Sequence, residues 1–445
     1  MRSYFIETWG CQMNHHDSER LEGQLLRHGL EPARDADRAD LVLLNTCSVR
    51  DRPVRKIASR IGELARCTPP PMVGVCGCVA EQEGQALLDR SPLVRFVLGP
   101  GQIGRLGEAL RAVARGDRAL LVGFDADSGS DRREVSRRSP TRGMITVIEG
   151  CDEFCTFCIV PYTRGRERSR PMGEVLDEVN GLVAGGMREV ELLGQTINSY
   201  RCPTTGADFA ALLDAVAEVA GLDRIRYVTS HPRHFDDRLI EVLARRPAVS
   251  RYLHLPVQAG SNCVLRRMHR RYTREEFLAL VSRIRSAVPD INLSTDVIVG
   301  FPGETDEDFV ATLDLIERVR FGQVFGFAFS PRPGTPAARY PDQVPEAVRK
   351  ERLQRLFELT DRITLELNRS LVGTLSRVLI DGGSRRDPNV WQGRGEDNRV
   401  VNFPGNGGAG IGDVVEVRIV RAAAHSLIGE VETSAPPRLP VLPPA

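Results

Sequence analysis

The feature that most constrains the fold is an alternation running from residue 3 to residue 330. Short apolar runs are each followed by a stretch of helical period. In the first part of the chain SYFIETWG (3–10), ADLVLLNT (39–46), MVGVCG (72–77) and VRFVLG (94–99) read as strands. DSERLEGQLLRHG, VRKIASRIGELAR, AEQEGQALLDR and QIGRLGEALRAVA read as the helices between them. Runs this apolar are buried on both faces, which parallel strands with helices on either side require. The first domain, 1–124, is therefore expected to be an α/β, doubly wound parallel sheet.

A polar stretch, DADSGSDRREVSRRSP (125–140), reads as a linker. The alternation then resumes with strands MITVIEG (144–150), REVELLG (188–194), RIRYVTS (224–230), RYLHLPVQ (251–258), INLSTDVIVGF (291–301) and QVFGFAFS (323–330). Six strand–helix units over 141–367 predict a partial (β/α)6 barrel with its site at the C-terminal strand ends. Thr273 with Glu276 three residues on marks a helix start, and Thr305 with Asp308 gives a weaker version. A helix-rich connector follows at 345–370. Over 368–433 the texture changes to TLSRVLID, RVVNF, DVVEVRIV and SLIGEV, separated by Gly, Asn and Asp, which predicts a small OB-like β-barrel. The Pro-rich end, 434–445, is expected to be a disordered tail. Three domains suit 445 residues at roughly 150 per domain.

Composition excludes several chemistries. Of 60 Lys plus Arg only Lys56 and Lys350 are lysine, and neither follows a glycine, so there is no GxxxxGK[ST] phosphate loop. None of the eight histidines precedes a glutamate, which removes the HExxH zinc proteases. The net charge of +1 gives no global attraction to nucleic acid, so any basic surface must be local. No apolar run approaches 18 residues and the N-terminus has no signal-peptide pattern, so the chain is expected in the cytoplasm, away from membranes.

In such a compartment the ten cysteines, at 11, 47, 67, 76, 78, 151, 155, 158, 202 and 263, point to metal binding or catalysis rather than disulfides. Cys151, Cys155 and Cys158 form C-x3-C-x2-C directly after a predicted strand. Structural zinc would need a fourth protein ligand, and none is close in sequence. A [4Fe–4S] cluster on three cysteines leaves one iron open. Cys11, Cys47 and Cys78 each end a predicted strand before a helix, 36 and 31 residues apart. Parallel strands share one C-terminal edge, so these thiolates can converge beside helix N-termini, which favour negative charge. Cys76 is an alternative to Cys78, but the strand–helix junction favours Cys78. Cys67, Cys202 and Cys263 have no partner at ligand spacing and read as structural or incidental. Gln195 and Asn198, Gln258, and Gly300, Gly303 and Glu304 follow later barrel strands, where ligands of a barrel bind.

These motifs resemble the methylthiotransferase family of radical S-adenosylmethionine (radical SAM) enzymes over nearly the whole chain. GCQMNHHDSE, NTCSVRD, GCVAEQ, GCDEFCTFCIVPYTRGRERSRP, GQTINSY, HLPVQAGSN and DVIVGFPGET occur in the family's order. GCQMN and NTCSVRD resemble the MiaB-type branch rather than the ribosomal-protein S12 branch, usually NTCGF, or the threonylcarbamoyladenosine branch, usually NTCTV. Ala259, His269, Thr196-Ile197 and Glu81 depart from the common pattern, and none removes a proposed ligand. The resemblance implies two [4Fe–4S] clusters. One, on Cys151, Cys155 and Cys158, cleaves S-adenosylmethionine, with Gln195, Asn198, Gln258, Gly300 and Glu304 as cofactor contacts. The other, on Cys11, Cys47 and Cys78, supplies sulfur. The implied reaction is methylthiolation of C2 of N6-isopentenyladenosine at tRNA position 37, beside the anticodon, after the base is unstacked.

The implied partners are the tRNA anticodon stem-loop and a low-potential electron donor such as flavodoxin or ferredoxin, with the chain a monomer. The C-terminal barrel resembles a TRAM domain, a nucleic-acid-binding module; nearly neutral, it is expected to recognise shape and loop bases rather than to clamp phosphates. Arginine clusters at 132–138, 164–170 and 266–274 are candidate RNA contacts. Two alternatives stay open: a methylthiotransferase acting on ribosomal protein S12 or threonylcarbamoyladenosine, and a non-catalytic iron–sulfur or zinc RNA-binding protein.

Overall fold

The structure, a computed structural model, describes residues 1–48, 51–124, 135–384, 387, 389–405 and 408–432. The first domain holds strands β1 (Ser3–Trp9), β2 (Glu31–Pro32), β3 (Leu41–Thr46), β4 (Met72–Gly77), β5 (Val94–Leu98) and β6 (Ala119–Leu121). They form one sheet in the order β2-β1-β3-β4-β5-β6, with every pairing parallel. Alternation along β3 builds both cores. Leu41 and Leu43 pack with Leu21, Leu25, Phe96 and Leu110 on one face. Val42 and Leu44 pack with Ile57, Ile61, Val79 and Leu87 on the other. Helices α1 (Gln12–Arg27) and α5 (Leu106–Ala114) supply the first layer; α2 (Asp51–Leu64), α3 (Cys78–Glu83) and α4 (Gln85–Arg90) supply the second.

Helix α1 starts five residues before the expected Asp17, directly after Cys11. Its first turns bury Asn14, His16, Asp17, Ser18, Glu19 and Arg20, so the apolar period that betrays a helix begins only at Leu21. His16, Asp17, Glu19 and Arg20 face the segments beyond the first domain. His16 Nδ1 lies 2.8 Å from Thr146 Oγ1, Arg20 pairs with Glu149 at 3.5 Å, and the Ser136 N–H donates to the Glu19 carbonyl.

The second domain contains β7 (Arg142–Thr146), a small antiparallel pair β8 (Ile148–Glu149) and β9 (Arg168–Ser169), then β10 (Glu189–Leu193), β11 (Arg224–Tyr227), β12 (Tyr252–His254), β13 (Asn292–Val299) and β14 (Gln323–Ala328). Its helices are α6 (Val160–Arg164), α7 (Met172–Ala184), α8 (Phe209–Ala217), α9 (Asp237–Arg245), α10 (Asn262–Arg267), α11 (Arg274–Ala287), α12 (Asp306–Val319) and α13 (Glu346–Arg369). The barrel wall is two parallel three-stranded sheets, β7-β10-β11 and β12-β13-β14, joined by one isolated parallel bridge from Ile225 to Val249. One core unites both sheets and their helices. Both capping boxes are present, at Thr273/Glu276 and Thr305/Asp308.

Strands β15 (Leu375–Gly383), β16 (Val390–Arg394), β17 (Val400–Pro404), β18 (Val414–Ala422) and β19 (Leu427–Val431) close a barrel in the order β15-β16-β17-β19-β18. Strand β16, VWQGR, was not expected: a glycine and polar residues hide it, and cross-strand pairing with β15 and β17 makes it. The turn after β16 docks this barrel on the N-terminal strand ends of the second domain. Arg224 donates to the carbonyls of Arg394 and Arg377, Arg226 donates to Asn398 Oδ1 and the Gly395 carbonyl, and Asn292 donates to the Asp397 carbonyl. The sites at the C-terminal strand ends therefore lie at the opposite end of the wall, about 25 Å away along an eight-residue strand. Most of the expected linker (125–134) and the whole tail (434–445) lie outside the described residues.

Candidate functional site

Three elements of the first domain bring Cys11, Cys47 and Cys78 to one sheet edge. Cys11 follows β1 and precedes α1, Cys47 follows β3, and Cys78 opens α3 after β4. A buried amide network sets this edge. Asn14 Nδ2 donates to Asn45 Oδ1 at 3.3 Å, and Asn45 Nδ2 donates to the Asn14 carbonyl and to Ser18 Oγ, both at 2.8 Å. Gly77 has φ +87, and a Cβ there would lie 2.4 Å from Asn45 Oδ1.

The three thiols share one electrostatic environment. A hydrogen bond from Cys47 holds the Cys11 thiol down at about 6 against burial, with the Arg164 charge assisting. Burial pushes the Cys78 thiol up, and Arg164 opposes that shift. Arg164 closes α6 of the second domain and pairs with Asp17 at 2.6 Å, both side chains nearly inaccessible. Cys76, by contrast, is fully buried within the apolar layer of Leu21, Phe96 and Leu98.

The second trio sits on a loop between β8 and α6. Gly150, at φ +82, begins it, and a Cβ there would lie 2.1 Å from the Arg166 carbonyl oxygen. Its N–H donates to Gln195 Oε1 at 2.6 Å, and the Cys151 N–H donates to the Gly165 carbonyl. Cys151 Sγ lies 3.3 Å from Thr196 Oγ1, and Arg270 Nη1 donates to Cys155 Sγ at 3.5 Å. Arg270 is buried and also donates to the Pro256 carbonyl and Tyr272 Oη. Burial pushes Cys151 up to about 11, and it pushes Cys158 up as well, with the neighbouring Cys155 adding to the shift. Thiols so placed ionise when a cation compensates them, which is how a metal centre releases protons as it binds. Three sulfur donors within eight residues fit a three-cysteine [4Fe–4S] centre, and so does the first trio.

Arg164 lies six residues beyond Cys158, at the end of the five-residue α6, and reaches the first trio. Helix α6 thus ties the two cysteine sets together.

The other expected residues divide into two groups. Gln195, Asn198 and Gln258 follow β10 and β12 at the cysteine rim. Asn198 is fully used in place, since Nδ2 donates to the His231 carbonyl and Oδ1 accepts the His231 N–H. Gln258 has φ +71. Glu304 and Gly300 meet α13: Glu304 Oε1 accepts from the Gly300 N–H and from Arg352, both at 2.7 Å, and a Cβ on Gly300 would strike Arg349. Beside the second trio, Glu153, His231 and His234 present ligand atoms within 4.8 Å of one another. Glu153 Oε1 already lies 2.6 Å from His234 Nε2, and the charges of Arg233 and Arg271 act on Glu153 while that of Arg270 acts on His231. Three guanidiniums oppose a divalent cation there, and the group reads as a hydrogen-bonded wall. Sequence reasoning missed Asp17, Arg164, Glu153, Thr196, His231, His234 and Arg270, because their roles depend on which domains touch.

Three family models match in succession: Uncharacterized protein family UPF0004 over residues 3–99, the Radical SAM superfamily over 145–316 and the TRAM domain over 369–431. Among solved structures the chain resembles the radical S-adenosylmethionine methyltransferase TsrM from Kitasatospora setae, with a TM-score of 0.54 and 17% identity over 85% of this chain and 78% of that one. At that identity the likeness is one of fold. Proteins named tRNA-2-methylthio-N(6)-dimethylallyladenosine synthase are much nearer in sequence. That of Geotalea uraniireducens is 46% identical over 96% of this chain and 98% of its own length. That of Stutzerimonas stutzeri is 46% identical over 97% and 99%. Identity of this depth along both full lengths shows that the chain belongs to the tRNA-2-methylthio-N(6)-dimethylallyladenosine synthase family of radical SAM enzymes.

Proposed function

We propose that the chain catalyses methylthiolation of C2 of N6-isopentenyladenosine at tRNA position 37, using S-adenosylmethionine both as methyl donor and as radical source. The observation that carries this reading is the reach of Arg164, from the helix that follows one cysteine trio, to the other trio. That contact supports a single reaction space between two sulfur-ligated centres. When bound, one [4Fe–4S] centre supplies the electron that cleaves S-adenosylmethionine, and the other supplies sulfur.

The residues divide the work. Cys151, Cys155 and Cys158 hold the first centre; Cys11, Cys47 and Cys78 hold the second. Thr196 and Arg270 orient Cys151 and Cys155 and place a positive charge against the sulfur. Gln195 fixes the start of the cysteine loop and Asn198 fixes His231, while Gln258, on the same rim, would contact the cofactor when it is bound. Gly300 and Glu304 shape the adjoining wall through α13. The chain works as a cytoplasmic monomer reduced by flavodoxin or ferredoxin. No helix among the described residues is long and apolar enough to cross a membrane.

The test is mass spectrometry of tRNA nucleosides from a strain lacking its own enzyme. Expression of this chain is expected to restore 2-methylthio-N6-isopentenyladenosine. Unmodified tRNA alongside a newly methylthiolated ribosomal protein would reassign the substrate.

A further inference from the structure

The loop of the second trio turns one large side chain outward. Phe154, between buried Glu153 and buried Cys155, is 38% exposed and holds φ +48. Left-handed backbone is unfavourable for a residue with a side chain. It persists only where the surroundings enforce it, and such strain gathers at functional sites. The enforcement is visible. His234 holds Glu153 on one side, Arg270 holds Cys155 on the other, and His269 Nδ1 lies 3.4 Å from the Phe154 carbonyl oxygen. His269 and Arg271 are themselves at φ +62 and +53, which turns Arg270 inward to the sulfur and leaves its two neighbours exposed.

A second aromatic ring stands beside the first. Tyr162, on α6, is 49% exposed and meets Phe154 edge to face with centroids 6.4 Å apart. The Arg166 guanidinium, held by the Asp152 carboxylate at 2.6 Å, lies 5.6 Å from the Phe154 centroid. Exposed Arg233 approaches Glu153 at 3.9 Å on the same side. Two open rings ringed by Arg166, Arg233, His269 and Arg271 are the surface chemistry that binds unpaired nucleotides. Rings stack on any base, and guanidiniums stack or pair with phosphate.

We propose that Phe154 and Tyr162 form a stacking platform for the unpaired loop bases that flank the modified adenosine, with exposed Arg233 and Arg271 holding their phosphates. This rests on the tRNA reading above and extends it to a particular surface. Extruding a base leaves its neighbours unstacked. A platform at the rim replaces the lost stacking where the TRAM-like barrel, docked at the opposite strand ends, does not stand.

The test compares holoenzymes of equal iron and sulfide content for binding of a fluorescent anticodon stem-loop carrying N6-isopentenyladenosine. The double variant F154A/Y162A is expected to raise Kd roughly 5- to 150-fold, the range of one lost base stack. F154W/Y162F is expected to keep near-native binding. Ultraviolet cross-linking of the native protein is expected to join loop nucleotides to the peptide spanning 152–166. An unchanged Kd in the double variant, with no such cross-link, overturns the platform while wild-type modification of the same RNA leaves the tRNA reading intact. Normal RNA binding with impaired reduction by flavodoxin gives this surface to an acidic electron donor and overturns the proposal too. A wild-type enzyme that neither binds nor modifies the stem-loop defeats both.

Discussion

At the residue scale, sequence spacing pointed to the six cysteines as metal ligands but left Cys76 competing with Cys78. The end of β4 separates the two: Cys76 lies within the strand and faces the apolar layer, whereas Gly77 at φ +87 turns the chain so that Cys78, opening α3, meets Arg164 and Cys11. Cys78→Ala is therefore expected to lower iron from about eight to about four atoms per chain, and Cys76→Ala to leave it unchanged, by iron and sulfide analysis after anaerobic reconstitution. Equal losses in both would reopen the choice. The arginines were legible only as clusters. Arg137 pairs with Glu178, Arg138 with Glu22, Arg164 with Asp17, Arg170 with Glu178, Arg267 with Asp342 and Arg274 with Asp314. Most of the described arginines in those runs are thus held in ion pairs, which composition cannot reveal because both partners must be known. Arg132 and Arg133 lie outside the described residues.

At the element scale, the loop from Gly150 to Cys158 matters more than any strand around it. It has no regular structure of its own and is held by borrowed contacts: Gln195 at its start, and in its middle the Thr156 N–H donating to the Met268 carbonyl and the Ala337 N–H donating to the Thr156 carbonyl. Sequence marked the loop through its cysteines, while its geometry depends on three other segments of the barrel. Gly150 joins backbone strain to close approach, so Gly150→Ala is expected to displace Cys151 and lose one of the two centres, seen as about half the visible absorbance of the reconstituted protein. Gly181→Ala is the matched control. It lies in α7 with nothing within 4 Å of its added Cβ, and is expected to stabilise the helix by about 0.5–1 kcal/mol with full absorbance. Full absorbance in Gly150→Ala would show that the loop adapts.

At the scale of the whole molecule, the order of the domains was readable from where strand–helix alternation stops, but not their docking. The docking surfaces are polar and carry no periodic signal. Arg226 shows why. It lies in a barrel strand yet binds across the interface, donating to Glu189 Oε1 at 2.7 Å, to Asn398 Oδ1 and to the Gly395 carbonyl. Its side chain and that of Glu189 are 2% and 3% exposed, so neither ion has water to fall back on. Removing one partner of a buried pair typically costs about 3–5 kcal/mol, because the other charge stays buried. Arg226→Met should therefore loosen the C-terminal barrel as well as the strand beneath it. Calorimetry is expected to show the C-terminal barrel melting in a separate, earlier transition than the rest, whereas the native chain melts both together. Arg226→Met/Glu189→Leu removes both charges but also takes from buried Arg224 its contact with Glu189 at 3.4 Å, so it is expected to recover only part of the lost stability and none of the bonds to Asn398 and Gly395. A single unshifted transition in Arg226→Met would mean that the remaining contacts of Arg224 and Asn292 suffice to fix the domain beneath the barrel.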